Sequence, residues 1–290
     1  MNLKKLKLPN RYNYIACFLT LDCNLNCEYC INNFGNNKLI KHRVLTGKDW
    51  VRGLDRLVSR DDLPVTFQGG EPALHPDCIW ILKNIRGGLN IDILTNLTFD
   101  ADEFIREINP LRFKRDAPYA AIRVSYHPFH MELDALIRRV LKLQKAGFSI
   151  GIYGILHPQF TKDILTAQKR CLEAGIDFRT KEFLGEFEGK LYGSYKYPEA
   201  VGSTKKKKSF CRNSELIIGP DGSIYRCHHD LYKDFPPIGN LLDADFKIED
   251  IFRTCDQYGD CNPCDIKVKT NRFQIHGHTS VEIKEIEEII

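Results

Sequence analysis

The 290-residue sequence has no apolar run of the roughly 20 residues that a membrane-crossing helix needs. Its first residues, "MNLKKLKLPNRYNY", are basic but lack the continuous apolar core of a signal peptide, so a cytoplasmic location is expected, with no membrane partner. The net charge is only +4, and no stretch interleaves basic and aromatic residues as an RNA-recognition module would, so a nucleic-acid partner is not expected. No internal repeat is present. Cysteine, by contrast, is abundant, with eleven in the chain. In a reducing compartment such a count points to metal or redox chemistry rather than disulfides. Three cluster at 23–30 and five at 211–264 (Cys211, Cys227, Cys255, Cys261 and Cys264), while Cys17, Cys78 and Cys171 stand alone. Cys78 and Cys171 fall in helical patterns and read as core packing.

Six short apolar runs alternate with helical patterns: "YIACFLT" (14–20), "PVTF" (64–67), "IDILT" (91–95), "YAAIRVSY" (119–126), "FSIGIYGIL" (148–156) and "IDFRTKEF" (176–183). Among the helical stretches, "TGKDWVRGLDRLVSR" has Thr46 as N-cap and Trp50, Leu54 and Leu57 on one face, and Gly147 and Gly175 stand where C-terminal caps belong. Strand–helix alternation of this kind indicates parallel β/α units, and six units are too few for a closed eight-fold barrel. The expected fold class is therefore α/β, a partial (β/α)6 barrel over residues 10–190. A connecting segment over 191–209, a small α+β cysteine-bearing domain over 210–275 and a tail over 276–290 follow. "SELIIGPDGSIYRC" predicts a hairpin around Gly219-Pro220-Asp221-Gly222, "IEDIFRT" a short helix, and "SVEIKEIEEII" either a helix or an edge strand.

The first strand runs straight into Cys23, Cys27 and Cys30, spaced C-x3-C-x2-C. The C-terminal ends of parallel strands are where such folds gather their chemistry. Three local thiols suit a zinc loop or a four-iron cube, and either would retain an open coordination position, which a structural site avoids. After the second strand comes "FQGGEP", whose Gly69 and Gly70 allow close backbone approach and whose Glu71 can accept hydrogen bonds from an ammonium group.

C-x3-C-x2-C with Tyr29 just before the last cysteine resembles the cluster loop of the radical S-adenosylmethionine (SAM) superfamily, and Gly69-Gly70-Glu71 resembles its SAM-binding GGE motif. The resemblance covers about residues 12–185. It implies that Cys23, Cys27 and Cys30 hold a [4Fe–4S] cluster whose fourth iron is chelated by SAM. It further implies reductive cleavage of SAM to a 5′-deoxyadenosyl radical that takes hydrogen from an unactivated C–H bond. Gly69, Gly70, Glu71, Thr95, Asn96, Ser125 and Tyr29 become the candidate SAM contacts. Arg123 and Arg179 are candidates for the SAM carboxylate, and "GIYGILHP" lacks the acidic residue that ends the corresponding family segment. Such an enzyme needs an electron donor of the flavodoxin or ferredoxin kind.

In the second cysteine group, Cys211 is followed by Gly222 and, after four residues, Cys227; later come Cys255, Cys261 and Cys264. Zinc is one reading of the C-x2-C pair. After a radical SAM core, however, the pattern resembles the SPASM and twitch extensions that carry auxiliary iron–sulfur clusters, and five cysteines match the single-cluster twitch type. That resemblance implies a second, auxiliary [4Fe–4S] cluster on Cys211, Cys227, Cys261 and Cys264, with Cys255 spare or free near the substrate. "KKKK" at 205–208 reads as a solvated run. His127, His130, Cys255 and His157 are the candidates for work on the substrate itself, and His228 and His229 for support of a ligand.

The expected function is a radical SAM enzyme performing a net oxidation of a small molecule of the sugar or cyclitol type. That choice reflects a first strand beginning near residue 14, with no leader-gripping module before it. The alternative substrate is a ribosomally made peptide or protein side chain. An RNA-modifying enzyme and a non-catalytic zinc protein are the rivals from other classes.

Overall fold

The computed structural model describes residues 3–32, 43–60, 63–203, 205–269 and 278–288, with side chains described as far as 284. Its first half is the expected alternation: β1 (Leu6–Lys7), β2 (Tyr14–Thr20), α1 (Gly47–Leu54), β3 (Leu57–Val58), β4 (Val65–Gly69), α2 (Cys78–Asn84), β5 (Ile91–Thr95), α3 (Ala101–Glu107), β6 (Ile122–Tyr126), α4 (Leu133–Lys145), β7 (Ile150–Leu156), α5 (Thr161–Glu173) and β8 (Phe178–Glu182). Thr46 caps α1 by accepting from the Asp49 N–H, and Trp50, Leu54 and Leu57 are fully buried. α4 and α5 end with Gly147 and Gly175 in the left-handed region. The remainder comprises β9 (Gly185–Phe187), β10 (Lys190–Tyr192), β11 (Lys207–Asn213), β12 (Glu215–Ile218), β13 (Ser223–Tyr225), α6 (His228–Tyr232), β14 (Gly239–Asn240), β15 (Arg253–Tyr258), α7 (Pro263–Ile266) and β16 (Val281–Glu288).

The six β/α strands pair in parallel in the order β2-β4-β5-β6-β7-β8, inside a nine-stranded sheet. The other three strands come from the C-terminal part. β12 lies parallel to β2, with Leu216 opposite Ile15 and Ile218 opposite Cys17, and the predicted hairpin partner β13 and then β14 extend that edge. The cysteine-bearing region is thus hydrogen-bonded into the barrel sheet through β12, so the strand pairing crosses the boundary expected near residue 210. Leu216, Ile217 and Ile218 are fully buried, and an apolar strand of this kind is stable where both of its faces are covered.

Two local expectations change. "IEDIFRT" forms no helix; its last two residues open β15, which pairs antiparallel with β11. A short stretch has little intrinsic helical stability, and a waiting sheet edge decides its fate. The 191–209 segment contains the start of β11, so the last two lysines of "KKKK" are strand residues. The 281–288 stretch is a strand: β16 pairs with the other side of β11, giving a three-stranded sheet β15-β11-β16.

Side-chain alternation along the barrel strands creates the site. Ile122, Val124, Ile152 and Phe178 point to the helices and are buried in the main core. The residues between them, Arg123 and Ser125 on β6, Tyr153 and Ile155 on β7, and Arg179 and Lys181 on β8, line an interior cavity of about 690 Å³.

Candidate active site

Cys23, Cys27 and Cys30 occupy the loop after β2 and all line this cavity. Cys27 and Cys30 are tied by a bond from the Cys30 N–H to the Cys27 carbonyl at 3.1 Å, and the Leu25 N–H donates to the Cys23 sulfur at 3.4 Å. Burial, reinforced by the neighbouring thiols, pushes the Cys27 thiol up to about 12 and raises Cys23 as well. Bringing three thiolates together at this depth therefore requires a compensating cation. Soft thiolate donors opening onto a cavity suit an iron–sulfur cluster with one position left for a ligand.

The Gly-Gly-Glu turn is built against this loop. The Gly70 N–H donates to the Thr20 carbonyl at 3.1 Å and the Glu71 N–H to the Asp22 carbonyl at 2.8 Å. A Cβ on Gly70 would stand 2.1 Å from the Asp22 oxygen, and one on Gly69 2.0 Å from that of Thr20. The close approach that these glycines permit is thus to the cysteine loop's own backbone. Replacing Gly70 with alanine must displace that loop, with an expected cost of about 2 kcal/mol or more in urea unfolding and reduced iron retention after anaerobic reconstitution. Unchanged stability and iron content would show that the contact is dispensable.

Glu71 is almost fully buried, and its carboxylate accepts from Thr95 Oγ1 at 2.7 Å, the Asn96 N–H at 2.6 Å and the Ala73 N–H at 3.0 Å. Burial raises its pKa, and these three bonds oppose the rise. Glu71 thereby joins the turn after β4 to the end of β5 while lining the cavity. Asn96 in turn donates to Asn24 of the cysteine loop at 2.8 Å, and its own side-chain oxygen is buried without a partner among the described residues. An unpaired buried acceptor facing a cavity invites a donor from a ligand. Ser125 also lines the cavity.

The Tyr29 hydroxyl lies 2.7 Å from His127 Nδ1, and the ring packs against Phe160. Burial holds His127 down to about 4, leaving it neutral at the cavity wall. His130 is exposed in the following turn and His157 is stacked on Phe160; neither lines the cavity. Arg123 is engaged by Asp92 at 3.1 Å and Arg179 by Asp177 at 2.9 Å, although both reach the cavity. The spacing gave no signal for Lys181, Lys267 and Lys269, which line the same cavity from β8 and from the segment after α7.

The second cysteine group is sorted by the fold into four and one. Cys211, Cys227, Cys255 and Cys261 line a second, smaller cavity. Antiparallel pairing of β11 with β15 sets Ser209 opposite Cys255, and the Cys211 and Cys255 side chains are hydrogen-bonded to one another. That contact, with the Gln257 backbone and nearby Arg226, holds the Cys255 thiol down while Cys211 is pushed up. Cys264 opens instead onto the large cavity, among Lys267, Lys269 and Glu215. The family resemblance grouped Cys264 with Cys211, Cys227 and Cys261 and left Cys255 as the spare, whereas in the structure it is Cys255 that shares a cavity with those three. α7 turns Cys264 towards the barrel, and strand pairing carries Cys255 to Cys211. His228 Nδ1 donates to the Asp265 carboxylate at 2.8 Å, and the His228 and His229 backbone N–H groups both donate to the same carboxylate, fixing the chain directly after Cys227.

Compared with known proteins, residues 18–165 match the Radical SAM superfamily, more than half of the 290-residue chain. The chain belongs to the radical SAM superfamily. Radical SAM enzymes use a [4Fe–4S] cluster and SAM, and the three thiols and the cavity described above fit both. The chain is 25% identical over 227 residues to the GTP 3′,8-cyclase of Clostridium perfringens (strain 13 / Type A), covering 73% of this chain and 68% of that relative. To the GTP 3′,8-cyclase of Listeria monocytogenes serotype 4b it is 28% identical over 145 residues, 50% of this chain and 42% of that one. Among solved structures, native anSMEcpe with bound AdoMet and Kp18Cys peptide superposes with a TM-score of 0.54 at 15% identity, over 82% of this chain and 78% of that chain. At this identity the likeness shows a fold shared over most of the chain. No helix among the described residues is long and apolar enough to cross a membrane.

Proposed function

We propose that this radical SAM enzyme oxidises a small molecule held in the barrel cavity, with a second cluster on Cys211, Cys227, Cys255 and Cys261 receiving an electron from it. The observation that carries this reading is the segregation of eight cysteines into two sets. Cys23, Cys27, Cys30 and Cys264 open onto the large cavity, and Cys211, Cys227, Cys255 and Cys261 share a separate small one. At about 690 Å³ the large cavity lies within the usual range of 300–1,000 Å³ for small-molecule sites. The relatives named for acting on GTP support a small substrate too.

A SAM-charged cluster on Cys23, Cys27 and Cys30 supplies the hydrogen-atom abstraction. The residues of the chain do the rest. Glu71, Asn96 and Ser125 shape the wall beside the cysteine loop, and Tyr29 with neutral His127 closes it on the β6 side. Loss of a hydrogen atom, an electron and the hydroxyl proton from an alcohol carbon is a two-electron oxidation to a carbonyl, and a cluster held by Cys211, Cys227, Cys255 and Cys261 would supply the electron acceptor. The first electron comes from a reductant of the flavodoxin or ferredoxin kind in the cytoplasm. The peptide named with anSMEcpe supports a second reading, a peptide substrate entering the same cavity.

Anaerobic purification and reconstitution should yield about eight iron and eight sulfide per chain, as two four-iron clusters require. Adding SAM and dithionite should then produce 5′-deoxyadenosine. Colourless protein containing zinc without sulfide, or clusters that never cleave SAM, would overturn the reading.

A further inference from the structure

We propose that the substrate carries an anionic group, a phosphate or a carboxylate, and that Lys181 and Lys267 hold it against the wall formed by β8 and the segment after α7. The inference rests on the large cavity being the substrate site. Its charged lining is unbalanced. Arg123, Arg179, Lys181, Lys267 and Lys269 face Glu71, Glu182 and Glu215. Most of these groups already have partners within the protein, ionic for Arg123, Arg179, Lys269 and Glu215 and neutral for Glu71 and Glu182. Arg123 is paired with Asp92, Arg179 with Asp177, and Lys269 with Glu215 at 2.5 Å. Glu71 is held by Thr95 and the Asn96 N–H, and Glu182 accepts from the Ser194 N–H at 3.1 Å and its hydroxyl at 3.0 Å. Two ammonium groups remain. Among the described residues, neither Lys181 nor Lys267 has a carboxylate in an ion pair.

Lys181 is the better defined of the two. It stands on the inner face of β8, open to the cavity though deep in the molecule, and its ammonium lies over the Tyr153 ring at 4.8 Å. Burial, with Arg123, Lys267 and Lys269 nearby, lowers it to about 7. A cation in this position is short of negative charge, and a bound anion restores its proton. Clefts lined by one sign of charge concentrate ligands of the other, and lysine serves phosphate and carboxylate alike as a compact point charge. Lys267 comes from the C-terminal part of the chain and Lys181 from the barrel, so an anion between them spans both. The carboxylate of SAM has the same chemistry, and the test must separate it from a substrate anion.

Inorganic pyrophosphate and succinate serve as probes, titrated by calorimetry into reconstituted protein saturated with SAM. At least one should bind, weaken as salt rises, and lose about tenfold or more in affinity in both Lys181→Met and Lys267→Met. Lys190→Met, on exposed β10 outside the cavity, should bind as the wild type does. Binding of pyrophosphate alone assigns a phosphate, and binding of succinate alone a carboxylate. The proposal is overturned if neither probe binds, if both lysine variants retain wild-type affinity, or if the probe displaces SAM, which would give the lysines to SAM itself. Formation of 5′-deoxyadenosine without anion binding would remove this inference and leave the radical reading intact; its absence would remove that reading independently.

Discussion

Cys27→Ala is expected to abolish SAM cleavage, lowering 5′-deoxyadenosine formation by at least about 10³-fold, a loss of more than about 4 kcal/mol in transition-state terms. Cys27 is the most buried of the three thiols in the loop after β2, and its carbonyl anchors the Cys30 N–H. Two remaining thiolates cannot hold a cube whose fourth iron must stay open for SAM. The loop is also pinned by Gly70 and Glu71 to the turn after β4, so it has little freedom to recruit a substitute. Iron should fall to about four per chain, the content of the other cluster alone. Cys17→Ala is the matched control: Cys17 is fully buried on β2 in the main core, and its loss costs packing without touching the cavity. A Cys27→Ala protein that retained all its iron and still cleaved SAM would remove these cysteines from the reaction.

The second large effect distinguishes Cys255 from Cys264. Cys255→Ala is expected to lose about half of the iron, to continue making 5′-deoxyadenosine, and to lose product formation by about 10²-fold or more, because the electron from the substrate has no acceptor. Cys264→Ala should retain about eight iron per chain, since its side chain opens onto the large cavity rather than the four-thiol one. Iron and sulfide analysis with Mössbauer spectroscopy of both variants checks this. The opposite result, with iron lost in Cys264→Ala and kept in Cys255→Ala, would favour the ligand set that the family resemblance implies.

The barrel was legible because its signals are local. Thr46 caps α1 and the apolar runs at 14–20, 91–95 and 148–156 form strands over 14–20, 91–95 and 150–156, since capping and period-two burial act within a few residues. The Gly-Gly-Glu turn was legible as a site motif, yet its physical purpose was not. Only the packing shows that the glycines make room for the Thr20 and Asp22 carbonyls and that Glu71 is tied to Thr95 and Asn96. The histidines illustrate the opposite case. His127, His130 and His157 look equivalent after their strands, but side-chain direction puts only His127 on the cavity.

By itself the sequence determined the parallel β/α order and the three-cysteine loop, because C-x3-C-x2-C directly after a strand confines three thiols to one short turn whatever the rest of the chain does. The tertiary structure alone decided how the later cysteines divide. Cys211, Cys227, Cys255 and Cys261 are separated by up to 50 positions, and their meeting depends on the register between β11 and β15 and on β12 joining the barrel at β2. A C-x2-C spacing brings Cys261 and Cys264 close in the chain without making their side chains point the same way. The single turn of α7 turns Cys264 to the barrel, beside the lysines that no local pattern had singled out. Spacing constrains backbone separation, whereas ligand sets and charge clusters depend on side-chain direction, which is settled only when the strands pair.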